Sequence, residues 1–314
     1  MSTEIKVLDK GFVRLVDHMG SDAAIVQMAR VSYGAGTTAV SKDKGLIRYL
    51  IRNHHTSPLE GVTFKFHIKA PIFVFRQWHR HRTWSYNEYS GRYSVLSDEC
   101  YVPEEKDVTK QNPNNKQGGT DNYVSFENLS DESVKDWTDL EFKDGVKDNW
   151  KWAPIFEETQ NVVREQYNAF IKTEMRRELA RINLPLAQYS EMYAVVDLHN
   201  LFHFLRLRLD SHAQYEIRVY AQAMYECIKD VVPISCEAFD EYILNSTNIH
   251  KKEQEVIKDV IETISNSTPT KNGKYDKGDG NWNIKKLLDE KVTNKFENKR
   301  ERKEAYTKIL KFFE

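Results

Sequence analysis

The segment Val62-Thr-Phe-Lys-Phe-His-Ile68 alternates apolar and polar side chains with a period of two. Successive side chains of an extended strand point to opposite faces, so this pattern predicts a strand with one face in a core. Ala70-Pro71 follows directly, and proline at a first-turn position predicts a helix from Ala70 to about His81. Ile5-Lys-Val-Leu8 and Phe12-Val-Arg-Leu-Val16 read as two further short strands. Ser21 or Asp22 can cap a helix running through Arg30, and Leu46, Tyr49, Leu50 and Ile51 mark a second helix before His54.

Beyond about residue 107 the pattern changes. The stretch 108–122 is polar and rich in Asn and Gly, and it reads as a loop. Residues 155–182 are helical in pattern until Leu184-Pro185 stops the run, and 198–209 and 213–228 read as helices, with Pro233 breaking the second. From about 246 the chain becomes more basic than acidic and poorer in large apolar residues, with a Gly-rich loop at 271–281 between helices expected at 253–264 and 284–313. A length of 314 residues accommodates one large domain or two smaller ones. The expected division is a main domain over 1–245, carrying the polar insertion at 108–122, and an appended, partly helical tail over 246–314.

The charges nearly cancel, 46 Lys+Arg against 47 Asp+Glu, so no global field marks a nucleic-acid coat or a membrane-surface protein. Against that neutral background, residues 76–92 (RQWHRHRTWSYNEYSGR) gather four arginines and two histidines, interleaved with Trp78, Trp84, Tyr86 and Tyr89. On a helix reaching His81, Gln77 and Arg80 share a face and project together at its C-terminal end. Ser85 to Arg92 has turn-like spacing and reads as a loop rich in backbone donors, which together with forked guanidiniums suits a phosphate. Glu88 in its midst suits sugar hydroxyls or an arginine, and the combination points to a nucleotide. The same residues are compatible with a solvated basic face, with a stacking platform for single-stranded nucleic acid, or with a metal held by His79-x-His81. Neutral net charge counts against the nucleic-acid reading, and missing Cys or carboxylate ligands against the metal.

A second constellation runs from Asp197 through His199, His203 and Arg208 to His212 and Gln214. His199 and His203 are one helical turn apart, but Asn200 stands where a metallohydrolase has its general-base Glu. Arg208 follows a strongly apolar run, so its charge requires a partner. Arg181 ends a predicted helix, where a cation also caps, and His54-His55-Thr56-Ser57 is a polar turn before a strand. Cys100, Cys227 and Cys236 are an odd number without metal-type spacing, which favours a reducing compartment. The N-terminal sequence lacks the apolar core of a signal peptide and no stretch has the length of a membrane helix, so cytoplasm, or host cytoplasm for a viral protein, is expected, with no membrane and no nucleic acid as partners.

Taken together, these motifs resemble the flavin-dependent thymidylate synthases. The resemblance rests on Arg80-His81-Arg82 followed after seven residues by Ser90, on Ser85-Tyr-Asn-Glu88-x-Ser90-Gly-Arg92-Tyr-Ser, and on the preceding Ala-Pro-Ile-Phe-Val-x-Arg-Gln-Trp. It extends to Ala180-Arg181-x-x-Leu-Pro and Leu-Arg-x-Asp-Ser-His-Ala-Gln, covering about 54–218. It implies reductive methylation of dUMP to dTMP, with 5,10-methylenetetrahydrofolate as carbon donor and NADPH-reduced FAD as hydride donor. It also implies a mixed α/β (α+β) core assembled as a homotetramer with active sites at subunit junctions. Carried over by resemblance, Gln77, Arg80, Glu88, Ser90, Gly91, Arg92, Arg181 and Arg208 contact dUMP, with Arg208 as the activating arginine. Ser57, Arg80, His81, Arg82, Glu88, Asp197, His199 and His203 hold FAD, with His55 near the flavin or folate and no metal. Positions 197, 199 and 203 depart from the family's usual Asn, Arg and Asn. A non-catalytic nucleotide- or RNA-binding protein using segment 76–92, and a degenerate synthase kept as a structural partner, are the competing readings.

Overall fold

A computed structural model describes residues 4–31, 43–113, 119–124, 152–265 and 284–312. The chain divides into two compact units, Met1–Leu244 and Asn245–Glu314. The first is an α+β unit built on an antiparallel sheet. Its strands are β1 (Glu4–Val7), β2 (Gly11–Met19), β3 (Thr63–Pro71), β4 (Ser85–Glu88) and β7 (Tyr189–Asp197), in the order β1-β2-β3-β7-β4.

The alternation that marks β3 sets the core. Phe64, Phe66 and Ile68 are fully buried and pair with Val196, Ala194 and Met192 of β7, so the two central strands present one continuous apolar face. Three helices cover it with aromatic and aliphatic side chains: α3 (Ile72–Trp78), α6 (Leu198–Arg208) and α7 (Tyr215–Ile228). Trp78 is the pivot, stacked on Phe204 at 5.1 Å and edge-on to Tyr220 at 6.0 Å. Truncating one such buried aromatic costs about 3–5 kcal/mol. The opposite face, with Lys65, His67, Tyr193 and Val195, points away from these helices.

Helices α1 (Asp22–Arg30) and α2 (Asp43–Arg52) flank α8 (Pro233–Phe239). Asp22 does not cap its own helix. Its carboxylate accepts from Ile234 N at 2.8 Å and from Ser235 Oγ at 2.6 Å, capping α8, where Pro233 stands at the first turn.

Several expectations are corrected. Strand β3 runs through Ala70-Pro71, so the following helix begins at Ile72 and ends at Trp78, short of His81. Ser85–Glu88 is not loop but β4, hydrogen-bonded to β7. The polar insertion contains a hairpin, β5 (Thr109–Gln111) against β6 (Gly119–Tyr123), while 114–118 lie outside the described residues. The helix expected over 155–182 is α4 (Trp152–Lys172) followed by the short α5 (Arg177–Ala180). Its stop is a Schellman turn: Met175 N donates to Phe170 O, Glu174 N donates to Ile171 O, and Glu174 takes φ +60°.

The second unit is a separate helical core formed by α9 (Lys251–Ser265), α10 (Ile284–Lys295) and α11 (Lys299–Leu310). The expected single helix over 284–313 is therefore two. Asn298 starts the second by accepting from Arg300 N, and Arg302 Nη2 donates to Phe296 O at the end of the first. Glu253 is buried but satisfied by Lys308 Nζ at 2.8 Å and His250 N at 2.6 Å.

Candidate active site

Residues 77–82 are shaped by a contact the linear sequence hides. Tyr86, on β4, donates its hydroxyl to His81 O at 2.9 Å, with Trp78 O, which also accepts from His81 N, at 3.3 Å, and so pins the turn that follows α3. His81 is thereby drawn inward to 7% exposure, edge-on to Phe204 at 4.9 Å and 6.0 Å from the ring of His203. Arg208, the last residue of α6, donates Nε–H to His81 Nε2 at 3.1 Å and Nη2–H to Gln77 O at 3.5 Å. Burial, then the charge of Arg208 and the nearby ring of His203, lower the pKa of His81 to about 4. The imidazole is neutral near pH 7, with its free lone pair on the nitrogen that meets Arg208. Arg208 is half-buried, and its pKa is lowered by burial and by the field of Arg80. A guanidinium nonetheless stays charged at neutral pH. The side-chain amide of Gln77 pairs with that of Gln214. Gln77, His81, His203, Arg208 and Gln214 thus form one cluster, with Arg80 on its exposed edge; Arg82 is exposed.

A second cluster lies along the end of β4. Glu88 accepts from Ser190 Oγ at 3.0 Å, and Tyr89 N donates to Glu191 O at 2.8 Å, so pairing with β7 carries the chain into the turn. There Arg92 N donates to Ser90 Oγ at 3.3 Å and Tyr93 N to Ser90 O at 3.1 Å. A Cβ added at Gly91 would meet Leu96 Cδ1 at 3.0 Å and Arg181 Cδ at 3.2 Å, so the missing side chain lets Arg181 approach. Arg92 is 61% exposed and pairs with Glu178 Oε2 at 3.3 Å, while Glu178 Oε1 meets Arg176 at the same distance. Ser90, Gly91, Arg92 and Arg181 are therefore assembled here.

The third group surrounds the end of α2. His54 takes φ +57° in a Schellman turn, with His55 N donating to Leu50 O at 2.9 Å and His54 N to Ile51 O at 3.2 Å. This turns the following residues toward a cavity of about 550 Å³ of open space, lined by His54, Thr56, His199, His203 and Arg206 over a floor of Ile51, Leu59, Phe202 and Phe239. An adjoining groove shares His54 and Thr56 and adds His55, Ser57 and Pro58. Burial, Arg206 and His199 lower the pKa of His203. Asp197 is engaged structurally. Its two carboxylate oxygens accept from Asn200 N at 2.9 Å and Asn200 Nδ2 at 2.6 Å, capping α6.

Sequence reasoning missed Arg206, Ser190, Glu178 and the contacts of Tyr86, and took Thr56 only as part of a polar turn. Arg206 alone carried a signal, close to one helical turn from His203. Among the described residues, no group of three or more His, Cys, Asp or Glu converges as for a metal ion. All three cysteines are buried and free; burial pushes the Cys227 thiol up to about 11 and that of Cys236 to about 12. Such thiols are protonated at neutral pH and weak as nucleophiles. Among the described residues no helix is long and apolar enough to cross a membrane.

Comparison with known proteins adds a likeness over most of the chain. Residues 14–234 match the family described as Thy1, thymidylate synthase complementing protein. A flavin-dependent thymidylate synthase from Treponema denticola is 50% identical over 261 residues, covering 83% of this chain and 91% of that protein. The one from Dictyostelium discoideum is 46% identical over 263 residues, covering 81% of this chain and 80% of that protein. Among solved structures, a UMP/dUMP methylase PolB from Streptomyces cacaoi bound with 5-Br dUMP superposes with a TM-score of 0.61 at 30% identity, covering 77% of this chain and all of that one.

Proposed function

The chain belongs to the thymidylate synthase complementing protein family, the flavin-dependent thymidylate synthases, and on that premise we propose how its residues divide the work of converting dUMP to dTMP. The carbon comes from 5,10-methylenetetrahydrofolate. Bound FAD, once reduced by NADPH, supplies the hydride that completes the methyl group.

Arg208 carries the reading. As C5 of uracil becomes nucleophilic, negative charge develops on the pyrimidine carbonyl edge. A guanidinium already fixed beside that edge stabilises the charge without reorganising, and its half-buried position strengthens the interaction. Gln77 and Arg80 bind dUMP alongside it. The Ser90-Gly91-Arg92 turn offers backbone donors and a forked cation to the phosphate, with Arg181 packed against it and Glu88 available to ribose hydroxyls. We assign these two clusters to different subunits of a homotetramer, meeting at each active site.

The third group fits FAD chemically: imidazole, hydroxyl and guanidinium donors of His199, His203, Thr56 and Arg206 line an apolar floor, as a ring system joined to a diphosphate demands. Ser57 and His55 extend it along the adjoining groove, and we assign Arg80 and Arg82 to FAD as well, with Glu88 reaching it from the second cluster. Asp197 contributes by fixing the start of α6, hence the direction of His199 and His203, since its oxygens are already engaged. No enzyme thiol is required, in keeping with the three buried cysteines. Free cysteines also suit the reducing cytoplasm of a cell or host.

The test is a flavin spectrum of the purified protein, followed by assay of dTMP formation from dUMP, methylenetetrahydrofolate and NADPH. A yellow, active protein is expected. Folded protein that is colourless and fails to bind added FAD would overturn the assignment.

A further inference from the structure

We propose that His81 is the positioning residue for Arg208, a neutral hydrogen-bond acceptor that sets the direction of the guanidinium, and not chiefly a flavin ligand; this rests on the dUMP-to-dTMP reading above. An arginine side chain has several rotatable bonds, and one that serves a developing charge must lose that freedom before the substrate arrives. Here the loss occurs at the Nε edge. Nε–H meets His81 Nε2 at 3.1 Å and one Nη2–H meets Gln77 O at 3.5 Å. With these two anchors on one side of the guanidinium, the Nη1 hydrogens and the second Nη2 hydrogen remain to form a fork toward a ligand.

The acceptor at that edge has to be free of charge. A carboxylate would neutralise the arginine and compete with the charge developing on uracil. A protonated imidazole would have no lone pair and would repel it. His81 avoids both faults, because it is buried, edge-on to Phe204 at 4.9 Å and held by its own carbonyl, which accepts from Tyr86 at 2.9 Å. Its protonation is opposed first by burial and then by Arg208 and His203 of α6. The Arg-His-Arg motif then contains two functions, with exposed arginines for ligands and an inward histidine for Arg208.

The experiment is a double-mutant cycle on the full-length holoenzyme, with flavin content and oligomeric state measured alongside. His81→Leu removes the acceptor; His81→Gln keeps an oxygen near the position of Nε2. His81→Leu is expected to lower dTMP formation on the order of 10- to 100-fold, leaving flavin content and NADPH-driven flavin reduction unchanged. His81→Gln is expected to recover most of the loss. Adding His81→Leu to Arg208→Ala is expected to cost nothing further, because the histidine acts only through the arginine. Additive losses, or a flavin-depleted His81→Gln protein, would overturn the proposal. If His81→Leu does not fold, His81→Asn, whose oxygen reaches only the level of Nδ1, replaces it, and equal activity of the Asn and Gln variants would overturn the proposal too. A wild-type protein making no dTMP would instead defeat the underlying reading.

Discussion

Arg208 and Arg92 belong to the same proposed nucleotide site but are held in opposite ways. Arg208 is half-buried, anchored by a neutral imidazole and a backbone carbonyl, so its charge is uncompensated and its direction fixed. Arg92 is 61% exposed and leans on the carboxylate of Glu178, itself shared with Arg176. An exposed pair of this kind is worth under about 1 kcal/mol, so an incoming phosphate can replace the carboxylate at little cost. The difference separates two roles. A group that stabilises a transition state is preorganised by burial; a group that captures a substrate anion can be parked on a weak counter-ion until needed.

The largest effect that would sharpen this contrast is at Arg208. Arg208→Ala is expected to lower turnover about 100-fold or more, as loss of one preorganised electrostatic donor typically does. Arg208→Lys is expected to recover little, because a point charge cannot reproduce the fork. Steady-state kinetics on both variants checks this, and a fully active Lys variant would reduce the role to charge alone.

Arg92→Ala is expected to act mainly through KM for dUMP, raising it roughly tenfold or more, as for a lost charge-assisted hydrogen bond. The comparison breaks if kcat falls instead. Glu178→Gln removes the competing carboxylate and is expected to lower that KM by about two- to fivefold. A raised KM would mean that Glu178 aims Arg92 and does not merely hold it.

A smaller signature concerns pH. His81 titrates near 4 in the folded protein against an ordinary value of 6.5, so the unfolded chain takes up the proton first as pH falls. Stability is complete above pH 6.5 and declines from there toward pH 4, by about 2 kcal/mol for this residue at pH 5. Denaturant melts at pH 7.5 and 5 are expected to show a shallower pH dependence for His81→Gln than for wild type. An identical dependence would mean that the ring is not held neutral.

The smallest effect is expected for the second unit. Its core residues, such as Val260, Leu288 and Ile309, cluster among themselves, and the family match ends at 234. A chain ending at Asn248 is expected to keep flavin binding, oligomeric state and turnover within about twofold, measured on the purified truncation. Loss of flavin from a soluble truncation would show that the tail supports the site.

What the sequence made legible follows the same division. Strong periodicity identified β3 and α6, and burial of Arg208 followed from the apolar run before it. Strand β7, the other half of the sheet's centre, gave no clean alternation, because its outward positions Tyr193 and Val195 are also large and apolar. Strand β4 looked like a loop, since Ser85, Asn87 and Glu88 are turn-forming or polar residues that only pairing with β7 makes extended. The turn after α3 is held by Tyr86 from a strand further along the chain, and the stop of α4 uses a left-handed Glu174 where glycine is the usual signal. At the site, the family resemblance supplied most of the candidate residues, but not which neighbour each one uses. Asp197, expected at the flavin by resemblance, caps α6; that role draws on ordinary carboxylate chemistry and is seen only once Asn200 is placed.

The most direct test separates the half-reactions of one variant. Arg208→Ala is purified, its flavin content measured, and its flavin reduction by NADPH followed without dUMP. The reduced protein is then mixed anaerobically with dUMP and methylenetetrahydrofolate, and dTMP is quantified. The expected result is normal flavin content, normal reduction by NADPH and dTMP formation slowed about 100-fold or more. Normal dTMP formation would remove Arg208 from the chemistry, and loss of flavin or of NADPH-driven reduction would make its role structural.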